Sequence, residues 1–470
     1  MNASWFDTLK TAIADQLRSF LNSAPLSTDG IITLSATCDA SMTPEMLLSL
    51  LHVQSDYPKL FWMPRDTDHA HGENKGDHYC ATVGAVKIYN NIDSAMDSAA
   101  HHGRNRALHP DLRLWGINAF PLPASDAQKG IHDFWFLPRF EWRVLGQTLT
   151  LFCHIASQSA VASNIISDAH EALAALDCLT PPVGHLPDFD HHGSLDQVLP
   201  DRRAWNTIIT RALAMIDTEQ FKKVVPARRV AYTFEHDVSP ESVVAESLIK
   251  NRHCYHFMIA FSSARAFLGA TPERLFRREG QTLLTEALAG TTKNAANHHD
   301  AQQLANALKH DPKNVHEHQF VIDDITERLS EVTDTLNVSP MEVVRLRNIQ
   351  HLRSTITAHL SNADDALCVR RLQPTAAVAG LPRAAALKFI AMNEPFPREW
   401  YAGSIGYHGK DDAEFAVTLR SALIDRNRVF FYAGCGIVEG SNDEEEWQEL
   451  NNKTAALGSL FSRSWNRGLK

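Results

Sequence analysis

The sequence has no apolar run approaching the ~20 residues that a bilayer-spanning helix needs, so it does not read as a helical membrane protein. It has no block of Lys or Arg and a formal net charge of −10, so the electrostatic footprint of a nucleic-acid binder is missing. An anionic ligand must therefore be captured locally, by a few placed cations or a metal. Its seven cysteines (Cys38, Cys80, Cys153, Cys178, Cys254, Cys368 and Cys435) are odd in number, scattered and without a CxxC pair, which argues against a disulfide framework. The opening segment, 1–20, carries Asp7 and Asp15 and lacks a basic region followed by an apolar block, so it reads as an amphipathic helix of a cytoplasmic protein. No internal repeat or low-complexity tract is evident.

What is present is an ordinary globular composition, 44% hydrophobic and 21% charged over 470 residues. That length exceeds one typical domain. The reading is an N-terminal α/β elaboration over 1–200 and a catalytic domain over 201–470. Apolar alternation predicts strands over 79–89, 112–120 and 134–154, and helical spacing appears over 165–179. The Pro-, Asp-, His- and Gly-rich stretch 181–200 reads as a linker or surface loop. Beyond it, an amphipathic helix over 205–216 is followed by helices and strands without strict βαβ alternation, which predicts an α+β fold with antiparallel sheets. The 24 histidines invite a metal reading at Asp68, His69, His71 and His78, and at His185, Asp188, Asp190, His191 and His192. Both groups sit in loop-like sequence without ligand spacing on a regular element, and are expected to be solvated.

Several carboxylates occupy positions that apolar residues would suit better. Glu317 shares a helical line with Val321, Ile325 and Leu329 over 315–332, so a carboxylate is aimed along an apolar face. Glu446, Glu449 and Lys453 fall at i, i+3 and i+7 on a second helix, in line with Ala456 and Leu460. Two such helices facing each other would offer hard oxygen ligands suited to Mg²⁺, whereas a surface salt-bridged stripe has the same spacing. The spacing is compatible with either. Lys223, beside Val224 and Val225, reads as a desolvated base or as a solvated lysine. Glu273, after Thr271-Pro272, is presented by a turn or merely caps it. The Gly-rich Ala433-Gly434-Cys435-Gly436-Ile437 follows a predicted strand but opens no helix, so close backbone approach to a ligand carboxylate fits better than a dinucleotide fingerprint.

Six stretches carry a resemblance. They are Phe-Leu-Gly-Ala-Thr-Pro-Glu-Arg-Leu-Phe at 267–276, Thr-Glu-Ala-Leu-Ala-Gly-Thr at 285–291, Gln-Pro-Thr-Ala-Ala-Val-Ala-Gly-Leu-Pro at 373–382, Glu-Pro-Phe-Pro-Arg-Glu-Trp-Tyr-Ala-Gly at 394–403, Thr-Leu-Arg-Ser at 418–421 and Ala-Gly-Cys-Gly-Ile-Val at 433–438. Together, over 222–457, they resemble the chorismate-utilising enzymes, the family of anthranilate synthase component I, and within it the isochorismate synthases of the menaquinone pathway. The N-terminal half is similar more weakly, through 114–120 and 136–142.

The resemblance implies a magnesium-dependent conversion of chorismate to isochorismate, in which water adds at C2 and the C4 hydroxyl leaves. It implies Lys223 as the base that activates water and Glu273 as the acid that protonates the departing hydroxyl, on opposite sides of the ring. Glu317 and Glu449 match magnesium ligands, with Glu446 holding a metal-bound water. Arg420 and Tyr401 would take the pyruvyl carboxylate, helped by amides around Gly434 and Gly436, with Lys453 a further cation. Thr375 and the Ala289-Gly290-Thr291 turn would line the ring. Relatives that add an amine through a covalent lysine carry Lys where this chain has Ala289, and no glutaminase partner is implied. Gln373 stands where several relatives have His, and Asn314 where some are acidic. Salicylate synthesis, in which pyruvate is also eliminated, and isochorismate supply to a siderophore pathway remain alternatives.

Overall fold

The computed structural model describes the chain apart from residues 1–3, 24–29, 66–77, 106–109, 123–131, 158–161, 189–191, 347–348 and 462–470. The first histidine group, His78 excepted, and Asp190 and His191 of the second lie outside the described residues. Nineteen strands join by hydrogen bonds, with every ladder antiparallel, and a separate two-stranded ladder pairs Lys223–Val224 with Gly380–Leu381. With helices packed on the sheets, this is the α+β fold expected from the sequence.

The strand Phe134–Leu145 organises the sheet. Along one edge it pairs with His78–Tyr89 for its whole length. Along the other edge its first residues pair with Arg113–Asn118, and its last with Thr148–Ser157. Two ladders therefore diverge from it. One runs from Gly30–Asp39 through Thr148–Ser157, Phe134–Leu145, His78–Tyr89, Lys59–Met63, Tyr255–Ala260, Arg265–Thr271, Ser421–Asp425, Arg428–Gly434 and Ala227–Thr233 to Ser194–Leu199. The other runs from Arg113–Asn118 through Ser404–Gly409, Asp412–Val417, Arg274–Glu279 and Thr282–Lys293 to Ile349–Leu360, which also pairs with Thr333–Val338 and Glu342–Arg345. Pro138 sits mid-strand without an N–H to give, and the ladder accommodates it with a register shift opposite, between Ala85 and Lys87.

Residues on both sides of position 200 supply strands to both ladders, through the pairing of Lys59–Met63 with Tyr255–Ala260 and of Arg113–Asn118 with Ser404–Gly409. One apolar cluster joins Trp115 and Trp135 to Phe276 and Phe415, and a second joins Leu9, Ile13 and Leu17 of the helix Ser4–Ser23 to Phe140, Val230 and Phe431. The stretch 181–200 is not all loop, because Ser194–Leu199 forms an edge strand on Ala227–Thr233. Its polar, largely exposed residues give no alternating apolar signal, and only backbone pairing along one edge defines it. The helix Pro312–Ser330 starts where Asp311 accepts the Asn314 amide and Pro312 takes a first-turn position that needs no N–H. It packs on Thr282–Lys293, while Asp443–Phe461 packs on Arg428–Gly434.

Gly116 shows how closely the two ladders meet at their junction. A Cβ there would lie 2.1 Å from the Trp135 ring, which is fully buried and held by its indole N–H on Asn118 Oδ1 at 2.8 Å. Gly116→Ala is expected to destabilise the protein by ~1–3 kcal/mol through overpacking. The midpoint of urea denaturation would report it, and an unchanged midpoint would contradict this packing.

Candidate active site

Two of the points where the chain crosses from one ladder to the other are neighbours, and each of these carries a functional side chain. Arg265–Thr271 passes through Pro272 and Glu273 into Arg274–Glu279. Asp412–Val417 passes through Thr418, Leu419 and Arg420 into Ser421–Asp425. The crossings are tied together, since the Val417 amide donates to Glu273 O at 3.0 Å and the Ala270 amide to Arg420 O at 3.1 Å. Arg420 holds φ at 45°, left-handed backbone that costs a non-glycine residue ~1–3 kcal/mol and is sustained here by those bonds.

Both side chains line one cavity, together with Lys223, Glu317, Glu449, Lys453, Tyr401, Gly434, Gly436 and the Ala289-Gly290-Thr291 turn. Thr375 stands one step behind the wall, its hydroxyl 3.4 Å from Glu273 Oε1. Glu273 is 5% exposed. Burial, reinforced by the negative charge of Glu286, pushes its carboxyl up to about 8 against the opposing pull of Lys223 and Lys453. At neutral pH it is therefore an acid with a proton to give.

Lys223 is 1% exposed, and its ammonium lies 2.8 Å from Glu317 Oε1. Burial alone would raise the Glu317 carboxyl, but Lys223, with Lys453 and Lys313, outweighs it and the net direction is down. Gly436 leaves the pair its space, since a Cβ there would come within 2.8 Å of Glu317 Oε1 and 2.9 Å of Lys223 Cε and would push the two side chains aside. On the helix Asp443–Phe461, Lys453 bonds Glu449 at 2.7 Å and Gly434 O at 2.9 Å. Glu446 is placed off the cavity wall, 4% exposed and 3.4 Å from Lys313 Nζ, and burial together with the Glu449 charge moves its carboxyl up. Tyr401 stacks on Tyr432 at 5.4 Å, and burial raises its phenol to about 12, which keeps it a donor.

The carboxylates Glu317 and Glu449 reach one cavity from two helices, and hard oxygens of this kind suit Mg²⁺, which keeps several waters and needs few protein ligands. Each is now neutralised by a lysine, and among the described residues no three His, Cys, Asp or Glu side chains gather as a ready-made metal cage. The donor set thus fits an ion held by two carboxylates and completed by water and an anionic ligand.

His351 lines the cavity and escaped the sequence reading. Its Nδ1 lies 3.3 Å from Gly290 O and 3.1 Å from Thr291 Oγ1, and its Nε2 lies 3.4 Å from Arg420 Nη2. A carbonyl can only accept, so Nδ1 carries the proton and Nε2 is free to accept from the guanidinium. Burial, then the charges of Arg420 and Lys453, hold the imidazole well below its usual range and so neutral. Nothing in the local pattern of Ile349–Leu360 distinguishes it from an inward strand residue. Leu288, Ala377, Val378 and Leu419 supply apolar wall that the sequence did not single out. Asn314 orders the site from behind, its Oδ1 accepting the Thr291 amide at 2.9 Å. Gln373 lies away from the cavity, bonded to Ala119 O and Ser404.

Comparison with known proteins places this geometry in context. The family described as chorismate binding enzyme matches residues 20–462. The isochorismate synthase MenF of Escherichia coli strain K12 is 41% identical over 454 residues, which cover 97% of this chain and 99% of that protein. The solved structure of MenF, the menaquinone-specific isochorismate synthase from Escherichia coli, superposes with a TM-score of 0.83 at 40% identity, covering 96% of this chain and 99% of the other. Anthranilate synthase component I from Streptococcus pneumoniae, 18% identical with a TM-score of 0.63 over 86% of this chain and 91% of its own, shares the fold.

A protonated carboxyl at Glu273 is directly observable. The infrared difference spectrum between the protein and its Glu273→Gln variant is expected to show a carboxylic C=O band at pH 7 that disappears with a midpoint of about 8. A band already lost by about pH 6 would contradict the electrostatics described for this turn.

Proposed function

The chain belongs to the chorismate-binding enzymes, and from that premise we infer that it is an isochorismate synthase serving menaquinone biosynthesis. One observation carries the mechanism. A buried lysine and a buried, protonated glutamate, Lys223 and Glu273, line one cavity whose remaining polar wall suits a dianion.

Chorismate carries two carboxylates and a hydroxyl that must be exchanged. Arg420, oriented by neutral His351, and Tyr401 bind the pyruvyl carboxylate, with Lys453 and the Gly434 and Gly436 backbone beside them. Glu317 and Glu449, with Glu446 behind them, would hold Mg²⁺, which when bound supplies charge neutralisation for the ring carboxylate. The Ala289-Gly290-Thr291 turn borders the ring, with the Thr375 hydroxyl behind it on Glu273. Water is a poor nucleophile and hydroxide a poor leaving group, so a base and an acid are needed together. As the neutral amine, Lys223 takes a proton from water as its oxygen bonds to C2, the ring double bonds shift, and the C4–O bond breaks as Glu273 gives its proton to the departing oxygen. One water enters and one leaves. Lys223 then releases its proton to solvent and Glu273 regains one, which resets the site, and the reaction runs in either direction.

Water as the nucleophile explains why no ammonia source is needed, and Ala289 leaves no lysine to form a covalent adduct at that position. Seven cysteines without a disulfide, and the absence among the described residues of any helix long and apolar enough to cross a membrane, support a place in the cytoplasm.

The test is to incubate the purified protein with chorismate and Mg²⁺, with and without a chelator, and to identify products by mass spectrometry. Isochorismate in equilibrium with chorismate, lost on chelation, is the expected result. Salicylate with pyruvate would replace this reading by salicylate synthesis, and no conversion would overturn it. Lys223→Ala and Glu273→Gln are each expected to lower kcat by ~10²–10⁴-fold, the usual worth of a general base or acid. Near-normal turnover in either variant would remove that residue from its role. Above about pH 8 the rate should fall as Glu273 loses its proton. A rate that climbs steadily through that range would contradict its role as the acid.

A further inference from the structure

Behind the Glu273 turn lies a pair of buried charges that the reaction does not touch. Arg65 follows the strand Lys59–Met63, and its side chain is 3% exposed, against 2% for Glu286 on the strand Thr282–Lys293. The two form a bidentate pair, Nη1 to Oε1 at 2.6 Å and Nη2 to Oε2 at 2.5 Å. Arg65 Nη1 also donates to the carbonyl of Pro272, and Glu286 Oε1 also accepts the amide of Arg274 at 3.0 Å. The residues on either side of Glu273 are therefore gripped by one ion pair. A buried ion pair is weak evidence for stability, because desolvation offsets the attraction, and an apolar pair would hold the sheets together as well. The location points to another reason for its presence.

We propose that Arg65 and Glu286 are positioning residues for the acid, the pair fixing the Pro272-Glu273-Arg274 turn and setting a permanent negative charge behind the Glu273 carboxyl. The inference rests on Glu273 being the acid of the reaction. Facing Glu273 are Glu286 from the strand Thr282–Lys293, Lys223 from the short ladder, Lys453 from the helix Asp443–Phe461, Arg420 from the second crossing and the Thr375 hydroxyl. On the far side Arg65 pairs with Glu286 and Arg353 lies 3.9 Å from it, while the Arg274 guanidinium adds its charge but is bonded to Tyr255 and Glu414. Of these charges Glu286 favours the proton on Glu273, while Lys223 and Lys453 disfavour it. Glu286 itself stays ionised, since Arg65 and Arg274 outweigh its burial. Removing its charge would leave the Arg65 guanidinium behind the turn without its carboxylate, and the acid would lose its proton at lower pH. Through Arg65, a residue from before position 200 takes part in setting the acid.

The test uses the full chain with Mg²⁺ and chorismate, recording kcat and KM from about pH 6 to pH 10 for wild type, Glu286→Gln, Arg65→Ala and Arg65→Lys. In Glu286→Gln the alkaline limb of kcat is expected about one pH unit lower, with kcat at pH 8 down roughly fivefold and KM within about twofold. Arg65→Ala should lose kcat more than KM, and Arg65→Lys, which keeps the charge and a donor for the Pro272 carbonyl, should recover part of the loss. A merely structural pair would lower stability and leave the limb in place. An unmoved limb in Glu286→Gln, a loss confined to KM, or an Arg65→Lys no better than Arg65→Ala would each overturn the proposal. Should Glu286→Gln fail to fold, the Arg65→Ala and Arg65→Lys pair still decides. A wild-type enzyme with no alkaline limb, or one whose limb persists in Glu273→Gln, would instead remove Glu273 as the acid. That outcome is distinct from a wild-type limb that simply ignores Glu286.

Discussion

A lysine ammonium shut away from water needs a carboxylate beside it, and the pair of Lys223 and Glu317, 2.8 Å apart, is the interaction around which the rest of the site is arranged. Leaving either charge buried without the other would cost ~3–5 kcal/mol. Three separate pieces of chain therefore have to converge on it. The short ladder of Lys223–Val224 with Gly380–Leu381 brings in the lysine, the helix Pro312–Ser330 brings in the glutamate, and Gly436 leaves both the space to meet. The helix Asp443–Phe461 repeats the device with Lys453 and Glu449, which line the same cavity. Two lysine–carboxylate pairs thus line a cavity suited to a dianion and a divalent cation together.

The acid belongs to a different part of the frame. Glu273 and Arg420 stand at two neighbouring places where the chain leaves one ladder for the other, and backbone bonds run between those crossings. A side chain at such a point is fixed by strands on both sides, which favours precision over adaptability. It is also cut off from water, and that burial, with Glu286 behind it, keeps the carboxyl protonated where an exposed glutamate would be ionised. The acid obtains its character from its surroundings, by burial and by facing a carboxylate at a distance.

How much of this was legible in the sequence depended on range. The line of Glu317 with Val321, Ile325 and Leu329 was readable because helical period is local, and the apolar three are buried as that period requires. The stripe of Glu446, Glu449 and Lys453 was only half readable. Glu449 and Lys453 reach the cavity while Glu446 turns toward Lys313, a difference that i, i+3 spacing does not encode. Glu273 was visible as a turn residue, but its proton was not, since that depends on Glu286 thirteen positions later and on two distant lysines. His351 and Arg65 carried no signal, for their roles exist only once Ile349–Leu360 and Lys59–Met63 have found partners far along the chain. The motif resemblance supplied the chemistry that spacing left open.

The claim that Lys223 delivers a water oxygen to the ring while Glu273 expels another is tested most directly by running the reaction in water enriched in oxygen-18 and examining the product by mass spectrometry at low conversion. The account predicts one labelled oxygen in each isochorismate formed, carried at C2 as the new hydroxyl. A product that retains the original, unlabelled hydroxyl would mean that the group migrates within the substrate, and would contradict the separate roles assigned to the two residues.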